Sequence, residues 1–193
     1  ARMSAYQAFK LGFDIAILEK EKGSPAGQLT KNEFAGWVDN KSLLKKFAGR
    51  SDVITLENEF VDSSYLKYLE ESGKKVYPSS NTISLIQDKL IQKETLKKKG
   101  IPVPAFIKLN DDDNYEDLKT KLGEKFIIKS RKMGYDGYGN YLVKNHKNFE
   151  EGITKLTGRH SQLMAEEFVD FIIELAVMVV RTKKQIKVYP VVQ

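Results

Sequence analysis

Short apolar segments of strand length alternate with helical patterns through the first 78 residues, and this alternation restricts the possible folds more than any other feature. Asp14–Glu19 and Asp52–Glu57 each carry the apolar run that is typical of a buried strand. Between them, apolar residues recur at helical spacing after Asn40, a residue type that caps helices. A second helix, Ser63–Ser72, and a short strand, Lys75–Tyr77, follow. Because strands that alternate with helices pair in parallel across helical crossovers, we predict an open α/β sheet.

This first part is predicted to be a Rossmann-like unit that ends near Pro78. Its helical pattern already starts at Arg2–Lys10, so the first strand of the unit is expected to precede Ala1. Pro78 ends the last predicted strand, and the hydrophobic pattern changes after it. The domain boundary is therefore placed at residue 78.

A long helix and a smaller mixed unit are predicted after this boundary. Ser80 and Asn81 are candidate caps of a helix whose pattern continues to Lys99 and is ended by Gly100. The next predicted elements are, in order, strand Ala105–Leu109, helix Tyr115–Leu122, strand Phe126–Ser130, strand Tyr141–Val143, helix Phe149–Leu156 and strand Leu163–Val169. A candidate hairpin, Ile172–Arg181 with Ile186–Val192, completes the pattern.

Composition excludes several classes of protein and site. The chain has 193 residues, no cysteine and a formal net charge of +6. Without cysteine there are no disulfides, thiolate metal sites or thiol nucleophiles, which is typical of a reducing cytosol, and we predict a cytoplasmic location. No apolar run approaches the roughly 18 residues of a membrane span, so no membrane partner is predicted. The basic residues are spread along the chain, which favours a small anionic ligand over nucleic acid.

A glycine-rich segment directly after a predicted strand is the most informative motif. Phe126–Ile128 leads into Lys129, and Gly134, Gly137 and Gly139 follow. Glycines at this spacing let the backbone turn tightly and present N–H groups to an anion, and a lysine at the strand end adds a point charge for a phosphate. The alternative is an ordinary turn with the lysine reaching water. The motif is not a Walker loop, since no Gly-Lys-Ser/Thr follows.

Carboxylates in two other segments are candidate ligand contacts. Glu174 lies inside an apolar segment predicted as a strand, where an unpaired carboxylate is costly to bury; it either serves a site, pairs with Arg181 or faces solvent. The backbone of Ala165–Val169 could read an adenine edge, as any edge strand could. Glu57 and Glu59 end the second predicted strand, where α/β sheets bind ligands, although two solvated carboxylates fit the pattern equally well.

Together these segments resemble the ATP-grasp ligases, and within them the carboxyaminoimidazole ribonucleotide synthetase family of purine biosynthesis. The resemblance rests on Lys129 with Gly-Tyr-Asp-Gly-Tyr-Gly-Asn, then Glu-Glu-Phe-Val and Ile-Glu-Leu-Ala-Val. Further matching pieces are Ser24–Gln28, Asp52–Thr55 with Glu57 and Glu59, Gln87–Leu90 and Tyr189–Val192. It implies a Rossmann-like pre-ATP-grasp domain in residues 1–78, the linker helices and small lid subdomain of an ATP-grasp domain in 79–169, and an incomplete start of its larger subdomain in 170–193.

The family's activity is implied by this resemblance. These ligases use ATP to phosphorylate bicarbonate, and the resulting carboxyphosphate carboxylates the exocyclic amine of aminoimidazole ribonucleotide, releasing ADP and phosphate. The remaining alternatives are another ATP-grasp ligase with a different nucleotide or acid, a catalytically silent nucleotide-binding module, and a basic single-strand binder.

The resemblance also implies roles for individual residues. The glycine loop would close over the ATP phosphates as a lid that excludes water, while Glu166–Val169 would line the adenine pocket and Glu174 would hold the ribose. Substrate contacts are implied for Tyr135, Asp136 and Glu57, with Asp136 as the catalytic residue beside the amine. The implied ATP-binding residues are Lys89, Lys129, Gly134, Tyr135, Asp136, Gly137, Tyr138, Gly139, Asn140, Glu166, Glu167, Phe168, Val169 and Glu174.

Two departures from the family pattern modify these expectations. Tyr138 stands where the family usually carries Lys or Arg, which removes one cationic phosphate contact. The family chain continues past the segment that matches Tyr189–Val192, and its magnesium-binding Glu and Asn lie there. We therefore expect Mg²⁺ ligands after Gln193 and none in this chain, and we expect the 193 residues to be a fragment without catalytic activity alone. The family further suggests a homodimer.

Overall fold

The structure, a computed structural model, describes residues 1–134, 138–158 and 162–193. Its N-terminal part alternates helices and strands as predicted: α1, Arg2–Lys10; β1, Ala16–Glu19; a short 3₁₀ helix, Gly27–Leu29; β2, Asn32–Ala35; α2, Lys41–Gly49; β3, Val53–Thr55; α3, Ser63–Glu71; and β4, Lys75–Tyr77. β1 pairs with β2 and β3 pairs with β4, both in parallel. The predicted parallel pairing is confirmed, but the strands form two separate pairs.

Strand β2 was not predicted, because Asn32–Ala35 lacks an apolar run. It is held instead by its pairing with β1 and by the carboxylate of Glu33. That carboxylate accepts hydrogen bonds from the backbone N–H groups of Gly23 and Ser24, each at 2.9 Å, and from the Ser24 hydroxyl at 3.0 Å. These hydrogen bonds hold the pKa of Glu33 below its usual range, with the Gly23 N–H as the largest contribution.

The predicted long helix after Pro78 is wrong in one respect, because it is broken at Asp88. The structure has two helices, α4 at Ser80–Gln87 and α5 at Lys89–Lys98. Asp88 adopts extended backbone angles, φ −108° and ψ 111°, and its side chain caps the first turn of α5. The cap of α4 is Ser79 rather than the predicted pair of residues after it.

The second unit is an antiparallel sheet covered on one face by two helices. Its elements are β5, Phe106–Lys108; α6, Tyr115–Leu122; β6, Phe126–Ser130; β7, Asn140–Val143; α7, His146–Thr157; and β8, Leu163–Glu167. The strand order is β5-β8-β6-β7, with every pair antiparallel. Phe126 and Ile128 of β6 are fully buried against α6 and α7, so the residues between and after them face the opposite side of the sheet. The predicted elements of this unit are confirmed, within a few residues at their ends.

The C-terminal hairpin is confirmed only in part. β9, Val179–Arg181, and β10, Ile186–Val188, pair antiparallel. Ile172–Met178 forms no strand, apart from an isolated bridge between Ala176 and Val192. Side chains throughout this segment are exposed. Across the described residues, no helix has the length and apolar character needed to cross a bilayer.

Candidate phosphate-binding site

The glycine loop connects β6 to β7. Its two ends are hydrogen-bonded to each other, and its first residue is hydrogen-bonded to the residue before β8. Ser130 N–H donates to the carbonyl of Gly139 at 2.7 Å, and Arg131 N–H donates to the carbonyl of Gln162 at 3.0 Å. Gly139 has φ +89°, and a Cβ atom there would lie 3.1 Å from the Cα of Gly134 and 3.2 Å from the side chain of Ser130. The close approach and the positive φ explain why the motif needs glycine at this position.

Four charged side chains meet on the sheet face opposite the buried core. Lys89 and Lys93 lie one turn apart on α5, so both side chains lie on the same side of that helix. Lys129 alternates with the buried residues of β6 and therefore faces α5. Glu166 lies on the neighbouring strand β8, opposite Ile127 of β6. Because Ile127 is two positions before Lys129, Glu166 and Lys129 lie on the same face of the sheet. We call these four residues the lysine cluster.

Glu166 is the central ionic partner in the lysine cluster. Its side chain is only 8% exposed. One carboxylate oxygen, Oε2, lies 2.6 Å from Lys93 Nζ, and the other, Oε1, contacts Lys129 Nζ. Although burial opposes ionisation, the two ammonium groups hold the pKa of Glu166 below its usual range. Three lysines against one carboxylate leave the cluster with excess positive charge, which suits a polyanionic ligand.

Lys89 joins the lysine cluster to the glycine loop. Its Nζ donates to the carbonyl of Gly134 at 3.2 Å, and its backbone N–H donates to the carbonyl of Arg131 at 2.8 Å. Burial, and then the positive charge of Lys129, lower the pKa of the Lys89 ammonium from its ordinary value. An anion bound beside it would offset both effects, because it would replace lost solvation and neighbouring positive charge with a counter-charge.

A buried ion pair fixes the position of Lys89 relative to the loop. Arg131 donates from Nε to Asp88 Oδ1 at 3.0 Å and from Nη2 to Asp88 Oδ2 at 2.5 Å. Only 2% of the Asp88 side chain is exposed. Although burial opposes it, the bidentate guanidinium holds the pKa of Asp88 below its usual range. The same carboxylate thus caps α5 and anchors the first residue of the loop.

A cavity of about 210 Å³ opens beside Lys89. Its walls are residues 59, 60 and 62 after β3, the end of α4, and residues 131–134 of the loop. Gln87 fixes one wall, because its side-chain amide donates to the carbonyls of Glu59 at 2.5 Å and Val61 at 2.6 Å. The cavity therefore lies between the N-terminal unit and the glycine loop, and Lys89 of the lysine cluster lines it.

The residues implied for the adenine pocket occupy different environments. Ala165–Glu167 is not an edge strand, because β8 lies between β5 and β6 and its backbone is paired on both sides. Glu167 is exposed, and its side chain accepts from the backbone N–H of Ala105 at 3.2 Å. Phe168 is half-buried and Val169 is exposed. Only Glu166 among them belongs to the lysine cluster, and the adenine assignment remains a prediction.

Two other carboxylates lie outside the lysine cluster. The expectation that Glu174 lies within a strand is wrong: it is exposed in a segment without regular structure, as the solvent-facing alternative held. Glu57 follows β3, is exposed, and contacts the amino group of Ala1. The ribose and substrate roles of these two residues stay predictions.

Part of the glycine loop lies outside the described residues. This applies to Tyr135, Asp136 and Gly137, so their implied lid, substrate and catalytic roles stay predictions. Tyr138 and Asn140, at the C-terminal side of the loop, are both exposed.

Sequence reasoning missed three residues of the site. Lys93 was not singled out, although its spacing of four from Lys89 in a helical segment was a readable signal. Asp88 and Arg131 were missed because 43 positions separate them along the chain, and no local sequence pattern indicates an ion pair between such distant residues.

Two family models and several known proteins match this chain. The family model of the ATP-grasp domain matches residues 94–193, and that of the ribonucleotide synthetase preATP-grasp domain matches residues 1–87. Phosphoribosylaminoimidazole carboxylase of Saccharomyces cerevisiae is 38% identical, over 100% of this chain and 34% of that protein. The solved N5-carboxyaminoimidazole synthetase of Staphylococcus aureus, complexed with ADP, is 30% identical with a TM-score of 0.91, covering 98% of this chain and 50% of that one.

A second similar structure contains two nucleotides. It is the N5-carboxyaminoimidazole synthase of Aspergillus clavatus in complex with ADP and 5-aminoimidazole ribonucleotide, 31% identical with a TM-score of 0.86 over 98% of this chain and 49% of that one. The chain thus spans between a third and a half of the proteins it matches. With a preATP-grasp domain followed by an ATP-grasp domain, the chain belongs to the ATP-grasp family.

Proposed function

We propose that this chain is part of an ATP-dependent ligase that carboxylates aminoimidazole ribonucleotide with bicarbonate, through carboxyphosphate, yielding carboxyaminoimidazole ribonucleotide, ADP and phosphate. The observation that carries the proposal is the lysine cluster, whose half-buried lysines lie beside the base of the glycine loop. Support also comes from relatives that match this chain over its whole length and are named phosphoribosylaminoimidazole carboxylase and N5-carboxyaminoimidazole ribonucleotide synthase.

The residues of the site fit the phosphates of ATP. Lys89 and Lys129 would hold phosphate oxygens, and loop N–H groups would add further donors. Phosphoryl transfer depends on stabilising charge that spreads over these oxygens, and Mg²⁺ supplies part of that stabilisation when bound. In the described ranges no three His, Cys, Asp or Glu side chains gather as a metal site. The family resemblance assigns the magnesium ligands to a part of the family chain beyond the segment that matches Tyr189–Val192.

Turnover by the protein expressed from its complete reading frame tests the proposal. ADP release is measured with Mg·ATP and bicarbonate, with and without aminoimidazole ribonucleotide. We expect ADP release to depend on aminoimidazole ribonucleotide. ATP hydrolysis that responds to a different acid or nucleotide would identify another ligase of the family, and ATP binding without turnover would identify a silent nucleotide-binding module.

Asp136 provides a sharper test of the substrate assignment. We expect Asp136→Ala to impair carboxylation while ATP binding stays near that of the unaltered protein, because the resemblance puts this residue beside the amine. Isothermal titration with ATP and a carboxylation assay separate the two effects. An unchanged carboxylation rate would contradict the assignment.

Assembly as a homodimer and a cytoplasmic location are also part of the proposal. Both are supported by the family resemblance, and the cysteine-free composition is compatible with a reducing compartment. Light scattering of the purified protein tests the first, and a monomer at micromolar concentration would contradict it.

A further inference from the structure

Lys93 and Lys129 share one carboxylate, but they contact different oxygens of it. Lys93 Nζ is 2.6 Å from Oε2 of Glu166, whereas Lys129 Nζ contacts Oε1. The two lysines come from different elements, α5 and β6, on either side of the carboxylate. Either contact can therefore break while the other stays in place.

A ligand phosphate would compete with Glu166 for Lys129. If the lysine turned to the phosphate and no other cation remained, the carboxylate would stay buried without a counter-charge. Leaving one partner of a buried ion pair uncompensated is strongly unfavourable. A second cation on Glu166 removes this obstacle, since the carboxylate remains neutralised throughout.

The side chain of Lys93 meets the requirements for that second cation. It is 16% exposed and holds its own oxygen of Glu166. No contact joins it to the glycine loop in the described residues, whereas Lys89 donates to the loop carbonyl of Gly134. Its position thus suits a partner of the carboxylate rather than of the ligand.

We propose that Lys93 is a positioning residue that keeps Glu166 neutralised, so that Lys129 can exchange the carboxylate for a ligand phosphate. The inference rests on the proposed ATP-binding function. In it, the contact of Lys93 with Glu166 allows Lys129 to leave that carboxylate. Lys93 acts through Glu166 and does not touch the nucleotide.

Tripolyphosphate is the appropriate probe, because it carries the phosphates without adenine or ribose. Its affinity is measured by isothermal titration in the protein made from its complete reading frame, next to that of ATP. We expect Lys93→Met to weaken tripolyphosphate binding about tenfold, since one charge-assisted contact would be lost to the carboxylate. Lys93→Arg should retain most of the affinity. Lys97→Met, one turn further along α5 with its Nζ over the Phe106 ring, is the control for removing one exposed charge and should bind normally.

A double variant separates this role from a merely structural one. In Lys93→Met/Glu166→Gln no carboxylate needs a counter-charge, so tripolyphosphate affinity should return towards that of the unaltered protein. A structural role would predict lower stability of Lys93→Met in thermal unfolding, with no rescue of binding by the second substitution. Glu166→Gln alone should bind tripolyphosphate at least as tightly as the unaltered protein, and this variant decides the question if Lys93→Met does not fold.

Three results would overturn the inference. They are normal tripolyphosphate binding by Lys93→Met, a double variant that binds no better than the single one, and weaker binding by Glu166→Gln. If the unaltered protein binds ATP in these experiments, only the role of Lys93 is refuted. If it binds neither ATP nor tripolyphosphate, the proposed function fails as well.

Discussion

The buried carboxylates of Asp88 and Glu166 organise the charges of the site. Each forms ion pairs with side chains that are distant in sequence. The pKa of each carboxyl group is lowered, because these cations outweigh the effect of burial. One of them anchors the loop through Arg131, and the other balances the lysines. The positions of Lys89, Lys93 and Lys129 therefore depend on these two carboxylates.

Lys129 is expected to contribute directly to ATP affinity. A charge-assisted hydrogen bond contributes about 1.5–3 kcal/mol, so Lys129→Ala should weaken ATP binding about ten- to a hundredfold. Isothermal titration measures this, with Lys108→Ala as a control, because Lys108 is an exposed lysine of the same sheet. Equal ATP affinity in the two variants would refute the assignment.

The ion pair of Arg131 and Asp88 makes a prediction about stability and its pH dependence. Arg131→Met would leave a buried carboxylate uncompensated, and we expect the free energy of unfolding to fall by about 3–5 kcal/mol. Because the folded pKa of Asp88 is lowered, the pair stabilises the protein above the ordinary aspartate pKa. This contribution disappears as the pH falls from there through the folded pKa.

Urea denaturation at neutral pH and at successively lower pH measures both effects. The difference between Arg131→Met and the unaltered protein should shrink on acidification. Lys132→Met, the exposed next residue, is the control and should unfold like the unaltered protein. A difference that does not depend on pH would show that the charge of Asp88 is not the cause.

At the scale of elements, the loop between β6 and β7 is constrained by backbone geometry. Gly139→Ala would force a side chain into a positive φ and within 3.1 Å of the Cα of Gly134. We expect a loss of stability of about 1–2 kcal/mol together with weaker ATP binding. Gly158→Ala is the control, because Gly158 has φ −61° and its nearest neighbour would be 3.5 Å away. Thermal unfolding and ATP titration are measured for both variants. Equal stability and equal ATP affinity of the two variants would contradict the prediction.

The elements themselves were predictable to different degrees. β6 was clear because Phe126, Ile128 and their neighbours form an apolar run that leads into a glycine motif. The break between α4 and α5 was not, because the side chain of Asp88 pairs with Arg131, which follows the end of the distant strand β6. The lysine cluster was not predictable for the same reason, because its residues are distant in sequence. The sequence indicated Lys129 as a candidate phosphate ligand, but the carboxylate that pairs with Lys129 is determined by the register of the sheet.

At the scale of the whole molecule, the net charge of +6 and the lysine cluster lead to different expectations for anionic ligands. A spread basic surface attracts nucleic acid in a strongly salt-dependent way, whereas a built phosphate site recognises a specific ligand. We propose that the lysine cluster is such a site, because its cations are partly buried and paired in a defined geometry.

Thermal shift measurements distinguish these two modes of binding. ATP at about a hundred times its dissociation constant should raise the free energy of unfolding by about 2.7 kcal/mol and the midpoint by roughly 5–10 °C. An oligothymidylate of comparable charge should leave the midpoint unchanged at physiological salt. A larger shift with the oligonucleotide, one that disappears at high salt, would instead favour non-specific nucleic-acid binding.

The strand order of the antiparallel sheet has a consequence for how the protein is made. Among the described strands of that sheet, β8 is the last along the chain, yet it lies between β5 and β6 and is the only one that pairs with β5. During synthesis, β5 therefore leaves the ribosome without a partner, and pairing Phe106 with Glu166 must close a loop of about 60 residues, at an entropic cost. Because β8 also carries Glu166, the nascent chain acquires its ion-pair centre only when translation has passed the strand that completes the sheet.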